Sequence, residues 1–261
     1  MLLSRRTIRP RPRTTAAALT AATIAATLLL PATTAHAAQC WFGACFSYVT
    51  GRQQTTTAGA AVTMYVADPT GVPADGHSLQ ELSLQSTGGT VSGNTVEIGW
   101  TVDPQTNGDY LPHLFVFHWI NGQPTSYNTG FVPTSSTVRP GMALPPGGSV
   151  RLAWWNSNGN WWAYYDNTPI GYFPGSTWNG TFTTAQIVSA FGEVAADSRT
   201  SCTQMGDGLY GSQAGSSSIS DYQLYGSSDQ PRFTVSATDP SYYNYGAAGA
   251  TSFRLGGPGA C

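Results

Sequence analysis

The chain contains no lysine; all 11 of its basic residues are arginine. Charge of either sign is scarce, with Asp, Glu, Lys and Arg making up 9% of the sequence. Five of those arginines (Arg5, Arg6, Arg9, Arg11 and Arg13) crowd the start of the chain, and the first 37 residues hold no acid. The remainder therefore carries 6 Arg against 13 Asp plus Glu, a net charge of −7. No basic patch forms at that density, which argues against nucleic acid and anionic membranes as partners. Past residue 32 no apolar run is long enough to span a bilayer. Several motifs are missing as well. There is no C-x-x-C and no H-E-x-x-H, which argues against zinc sites of those types. There is no G-x-S-x-G elbow, and no Asp-Thr-Gly or Asp-Ser-Gly of the aspartic peptidase kind. His113 and His118 differ by five, so on one strand they face opposite sides. A Ser-His-Asp site, whose members need not be near in sequence, stays open as a minor alternative.

What is present is apolar and aromatic. The hydrophobic fraction is 41%, with 30 Gly, 13 Tyr and 8 Trp. Polar uncharged residues mixed with glycine and aromatics suggest an exported all-β protein, and 261 residues leave room for one large domain or two small ones. The arginines of the first 13 residues form a basic n-region, residues 15–32 an Ala/Leu/Thr-rich apolar region, and Ala35-His36-Ala37 a small-x-small cleavage site. Residues 1–37 thus read as a signal peptide, 38–76 as a short, turn-rich N-terminal segment and linker, and 77–261 as the main domain. Cys40, Cys45, Cys202 and Cys261 are an even number in an exported chain, so disulfides are expected. Three pairings are possible; Cys40–Cys45 with Cys202–Cys261 is favoured, the second closing a loop worth on the order of 4 kcal/mol.

Candidate strands run at 60–68, 77–85, 91–102, 113–120, 126–132, 149–156, 160–166, 169–173, 187–195, 201–205, 219–225, 232–237 and 251–255. Gly, Asn, Pro and Ser separate them. Many short strands at this spacing indicate a sandwich or barrel. Thr183–Ala190 is the best short-helix candidate, with Thr183 as N-cap and Gln186 three residues on.

The sharpest pattern lies at residues 95–104. Val96, Ile98, Trp100 and Val102 alternate with Glu97, Gly99 and Thr101, and Pro104 ends the run. That period of two marks a strand whose Val/Ile/Trp face is core, with Glu97 on the other face and Gly99 leaving room beside it. The chain has three glutamates in all. Glu81, in Ser-Leu-Gln-Glu-Leu-Ser-Leu, reads as surface. Glu193, in Ala-Phe-Gly-Glu-Val-Ala, is like Glu97 a lone acid in an apolar segment with a glycine nearby. Two carboxyls facing one cleft divide the work of acid and base, because close together they do not both ionise easily. Trp154-Trp155 and Asn160-Trp161-Trp162-Ala163-Tyr164-Tyr165 form an aromatic hairpin, read equally as core and as a floor for a sugar or a proline ring. Gln204 lies in a glycine-rich turn that reads first as structural and second as a hydrogen-bond partner for a substrate.

With these residues in view, the sequence resembles the neprosin family of glutamic peptidases. The matching stretches are VEIGWTVDP with GDYLPHLFVFHW, NTGFVPT, GNWWAYYDNTPIGYFP, FGEVA and TQMGDG, in one consistent order over roughly residues 77–226. The resemblance implies an antiparallel β-sandwich of two stacked sheets, jelly-roll or lectin-like and here disulfide-stapled, with a groove across one sheet. It implies an endopeptidase that cuts after proline in acid, with Glu97 and Glu193 as the catalytic pair and no metal or organic cofactor; with the cleavable leader, a secreted monomer is expected. Its partner would be a proline-containing peptide or protein. Trp100, Trp119, Tyr164 and Gln204 are the candidates for lining the groove, Trp100 the weakest because the alternation puts it on the core face. Some features depart from the family. The segment before the family domain is too short for a pro-domain of the plant kind, Ser126-Tyr127-Asn128-Thr129 stands where relatives carry a cysteine pair, and FGEVA has one glycine where they often have two. The alternatives from other classes are a lectin-like glycan-binding sandwich using Trp161 and Trp162, and a two-carboxylate glycoside hydrolase.

Overall fold

Strands with one apolar and one polar face become stable only when the apolar faces of two sheets meet. A computed structural model of the chain, described here for residues 39–41, 43–88 and 93–261, has that arrangement. Its strands in chain order are β1 (Gln39–Trp41), β2 (Ala44–Thr57), β3 (Gly59–Tyr65), β4 (His77–Gln85), β5 (Thr95–Val102), β6 (His113–Ile120), β7 (Gln123–Pro124) and β8 (Val132–Pro133). They continue as β9 (Ser149–Ser157), β10 (Asn160–Tyr165), β11 (Thr168–Phe173), β12 (Ala185–Ala196), β13 (Ser218–Tyr225), β14 (Thr234–Ala237), β15 (Asn244–Gly246) and β16 (Phe253–Gly256). Helix among the described residues is confined to one turn, Pro104–Asn107, capped by Asp103, and a 3₁₀ turn at Gly175–Trp178. The signal-peptide assignment to residues 1–37 lies outside the described residues.

Two open antiparallel sheets result. One has the order β1-β2-β12-β4-β5-β6-β7, with β14 also paired to β2; the other runs β15-β16-β13-β3-β9-β10-β11-β8. The core between them takes Val96, Ile98 and Trp100 from β5, Leu82 and Leu84 from β4, Val62 and Met64 from β3, and Trp154 and Trp161 from the β9–β10 hairpin. Trp100 is fully buried, and its indole N–H donates to the carbonyl of Tyr65 at 3.0 Å, tying β5 to the end of β3. A buried indole needs such a partner. Trp161 solves the same problem by donating to Phe182 O at 2.8 Å.

The structure alters several expectations. Residues 38–59 are not turn-rich: β2 is the longest strand described and pairs along nearly its whole length with β12. β3 in turn lies between β13 and β9. A linker reading of 38–76 therefore leaves out two inner strands of the sandwich. It arose because β2 is built from Thr, Gln and Gly rather than aliphatic residues. Its core-side positions are Ser47, Val49, Gly51, Thr55 and Thr57, and the rings of Phe233 and Phe253 pack where a Cβ on Gly51 would stand. Thr183–Ala190 is no helix; from Ala185 on it belongs to β12, since its apolar residues fit pairing on both sides better than a local turn. Of 126–132 only Val132 is strand, and 201–205 contributes a single bridge from Met205 to Gly257. Cys40–Cys45 and Cys202–Cys261 are the two disulfides.

Candidate active site

The outer face of the first sheet gathers the glutamates. On β5 the alternation places Glu97 and Gly99 opposite the core residues. Register then decides which neighbours they meet. Glu97 is paired with Ser83 of β4 and Phe117 of β6. Two residues along, Glu81 of β4 is paired with Gly99 on one side and Phe191 of β12 on the other. Two residues further, Glu193 of β12 is paired with Leu79 of β4 and Tyr48 of β2. The three glutamates of the chain thus lie on one diagonal of one sheet face, on adjacent strands, with Glu81 at the midpoint. Diagonal neighbours of this kind are about 7–8 Å apart at Cα, so Glu97 and Glu193 stand about 15 Å apart with their side chains on the same face.

All three line one cleft of about 590 Å³. Its wall on the Glu193 side is Phe46, Tyr48 and Phe191; on the Glu97 side it is Phe115, Phe117, Trp119 and Tyr127. The rings brace one another: Tyr127 meets Phe115 and Phe117 edge-on at 5.1 and 5.4 Å, and Tyr48 meets Phe191 at 5.7 Å. Apolar walls hold Glu81 and Glu97 in a poorly solvated setting, which disfavours their ionised forms.

Each carboxyl is held differently. The Trp119 indole N–H lies 3.0 Å from both Glu97 oxygens, and Ser83 Oγ donates to one of them at 3.4 Å. Burial nevertheless pushes Glu97 up to about 7, the charge of Glu193 adding to it while the Trp119 and Ser83 hydrogen bonds pull the other way. Glu193 Oε1 is 2.7 Å from His77 Nε2, and the Tyr48 hydroxyl hydrogen-bonds it from the neighbouring strand. Glu81 is 4% exposed and, among the described residues, has no hydrogen-bond partner; burial first, then the charges of Glu97 and Glu193, raise it well above the usual carboxylate range. Tyr127 is likewise raised by burial and by the charge of Glu193.

Of the residues singled out in the sequence, Glu97, Glu193 and Trp119 meet in this cleft. Trp100 does not; it is on the core face of β5 because its side chain points opposite to Glu97's. Tyr164 is on the other sheet, where with Trp155, Leu224 and Tyr225 it lines a separate cavity of about 540 Å³. Gln204 is taken up structurally, its side-chain oxygen accepting from the Thr70 amide at 3.1 Å. In the aromatic hairpin Trp154 and Trp161 are core, Trp162 packs on Tyr172 at 4.6 Å, and only Trp155, 46% exposed, offers an open ring. Glu81 is not surface. Its strand has leucines of both parities, Leu79 and then Leu82 and Leu84, which marks a strand covered on both faces, and that was the signal to be read. Nothing local distinguishes His77, Tyr48 or Tyr127. His113 is held by Asp109 and the Gly141 carbonyl, away from the glutamates. No group of three or more His, Cys, Asp or Glu among the described residues is arranged to hold a metal ion.

An antiparallel sandwich with carboxyl groups converging in an aromatic cleft has the makings of a hydrolase that works through acids alone. The chain belongs to the neprosin family of glutamic peptidases, whose model, described as Neprosin, matches residues 74–258. Among solved structures the chain is similar to scytalido-glutamic peptidase bound to a peptide-based transition-state analogue, at 10% identity and a TM-score of 0.41, over 80% of this chain and 97% of that one. It is also similar to SCP-B, a member of the eqolisin family of peptidases in complex with the tripeptide Ala-Ile-His, at 9% identity and a TM-score of 0.37, over 80% and 96%. A homodimeric agglutinin from chicken liver, CG-16, matches at 10% identity and a TM-score of 0.31, over 56% and 92%.

Proposed function

We propose that the protein is a secreted endopeptidase that hydrolyses the bond after proline in acid, with Glu97 and Glu193 as its working pair. The observation that carries this reading is the convergence of two isolated glutamates, distant in sequence, on one face of one aromatic-lined cleft. Flat rings on both walls suit a proline side chain, which stacks on aromatics and carries no hydrogen-bonding group of its own to satisfy. Residues 1–37 would be removed on export, and the disulfides Cys40–Cys45 and Cys202–Cys261 fit an oxidising destination.

The division of labour follows from the environments. Glu97, raised to about 7, holds its proton in acid; Glu193, with His77 and Tyr48 as partners, serves as the carboxylate. Glu193 takes a proton from water as the water oxygen attacks the carbonyl carbon after proline. The Glu97 proton moves onto, or hydrogen-bonds, the carbonyl oxygen, giving a tetrahedral intermediate. Glu193 then passes its proton to the leaving nitrogen, the C–N bond breaks, the C=O bond re-forms and Glu97 regains its proton.

A proline-containing quenched peptide, followed by mass spectrometry from about pH 3 to about pH 7, spanning the range where such a pair titrates, tests this. Cuts after proline that weaken as the pH nears neutrality, and vanish in both Glu97→Gln and Glu193→Gln, are the expected result. Substantial turnover in either variant would remove the pair. A well-folded protein that cuts nothing would leave the lectin-like reading, which has the open Trp155 ring and the cavity beside Tyr164 in its favour, and which binding to insoluble polysaccharides would test.

A further inference from the structure

The two-glutamate scheme leaves one group in the cleft unused. Glu81 sits at the midpoint of the Glu97–Glu193 diagonal, paired on one side with Gly99, which has no side chain to cover it. It is 4% exposed, it lines the cleft, and its carboxyl has no hydrogen-bond partner among the described residues. The fold therefore keeps at the centre of the cleft a largely buried carboxyl that no protein group among the described residues binds and that opens only onto the cleft.

We propose that Glu81 is a third catalytic residue, a neutral carboxylic acid whose O–H donates a hydrogen bond to the oxygen of the scissile carbonyl as negative charge develops on it. This rests on the peptidase reading above. With the Cα atoms of Glu97 and Glu193 about 15 Å apart across two strand spacings, a peptide group lying between their side chains lies over β4, and Glu81 is the side chain that β4 raises beneath it. The substrate oxygen supplies the partner that the free protein lacks, so the donor's interaction is made only once substrate is bound and strengthens in the transition state. The proton on Glu81 is held there by its surroundings. Glu97 faces it from β5 and Glu193 from β12, Tyr48 stands on β2, Tyr127 in the loop after β7, and His77 on its own strand. Two of these are acids that compete with it for negative charge, and burial adds to the effect. No proton leaves Glu81 during turnover; it donates to the intermediate and keeps its hydrogen when the carbonyl re-forms.

The test compares Glu81→Gln with Glu81→Leu in the full exported protein, measuring kcat and KM on a proline peptide, the pH profile and the thermal midpoint. Gln keeps a neutral N–H donor of the same reach; Leu keeps the bulk and removes the donor. The expected result is that Glu81→Gln holds kcat within about threefold and leaves the pH profile in place, whereas Glu81→Leu loses about 10²–10³ in kcat, the cost of one oxyanion donor, with KM little changed and a thermal midpoint no lower than wild type. Wild-type kcat in Glu81→Leu would overturn the proposal, since a carboxyl that only fills space is replaced without loss. Equal loss in both variants would overturn it too, because it would mean that Glu81 has to give up or take a proton. Turnover surviving in Glu97→Gln or Glu193→Gln removes the underlying pair instead, whichever way Glu81 behaves.

Discussion

At the scale of single residues, the contest at Glu97 is between burial and hydrogen bonding. Burial favours the protonated acid, while donors aimed at its oxygens favour the anion. Burial wins, leaving Glu97 at about 7. In the proposed mechanism the loss of this proton sets the upper pH limit, so kcat/KM is expected to fall as pH rises through about 7. Trp119→Phe keeps the ring against Phe117 and deletes the N–H that meets both Glu97 oxygens. Deleting a donor to the anion raises the acid further, so the falling limb moves to higher pH in this variant. A pH–rate profile of the two proteins decides it; a limb that stays in place, or moves down, would show that the indole does not tune Glu97. The residues also show what a sequence exposes. Glu97 and Glu193 were legible because each is a lone charge in an apolar run of a chain with almost no charge to spare. Glu81 was not, because Gln80 and Ser83 beside it gave the segment a polar look, while the burial of both faces of β4 depends on partners that no local window contains.

At the scale of elements, the site depends on how closely β4 and β5 approach. A Cβ on Gly99 would run into the carbonyl oxygen of Gln80 and stand 2.8 Å from both Cα and Cβ of Glu81. The backbone cannot yield there without parting the ladder that sets Glu81, Glu97 and Glu193 on their diagonal. Gly99→Ala is therefore expected to lower stability by about 2 kcal/mol, in the range for overpacking, and to reduce kcat by more than that loss alone would suggest. Denaturant midpoints and kinetics on the folded fraction separate the two effects; wild-type values in both would show that β4 and β5 have slack. The strands themselves were largely readable, 77–85 and 113–120 to the residue, since each is a short apolar-rich run bounded by Gly or Pro turn signals. Register was not. Whether Glu97 lies diagonal to Glu81, or opposite it, turns on a shift of two residues between strands, and a single sequence carries no such information. The room that Gly99 leaves is taken not by Glu97 beside it but by Glu81 across the ladder.

At the scale of the whole molecule, the family match begins at residue 74, yet β2 and β3 before it are inner strands of the two sheets. The sandwich is fastened at its other end by Cys202–Cys261, which closes a loop over a sequence separation of 59. Replacing that pair by serines is expected to cost about 4 kcal/mol on the chain-entropy account, measurable as a lower denaturant midpoint.

The acids of the cleft tie stability of the whole fold to pH. A carboxyl whose pKa is higher folded than unfolded binds more protons in the native state. Its contribution is complete below the unfolded value, near 4.5, and is lost as pH rises through the folded one, about 7 for Glu97. Over that window the protein should lose on the order of 3 kcal/mol through Glu97, with Glu81 acting in the same direction. His118 opposes this. Burial against Phe173 and Trp178 lowers it, so the unfolded chain takes up the extra proton and stability rises with pH through that residue's range. The wild-type curve alone therefore mixes two slopes of opposite sign. The difference between wild type and Glu97→Gln does not, because His118 is common to both. That difference in unfolding free energy should change steadily between about pH 4.5 and about pH 7, favouring the variant as pH rises, and level off beyond. A difference that stays flat across the window would mean that Glu97 titrates like a solvated acid, and the proton the proposed mechanism assigns to it would have to come from elsewhere in the cleft.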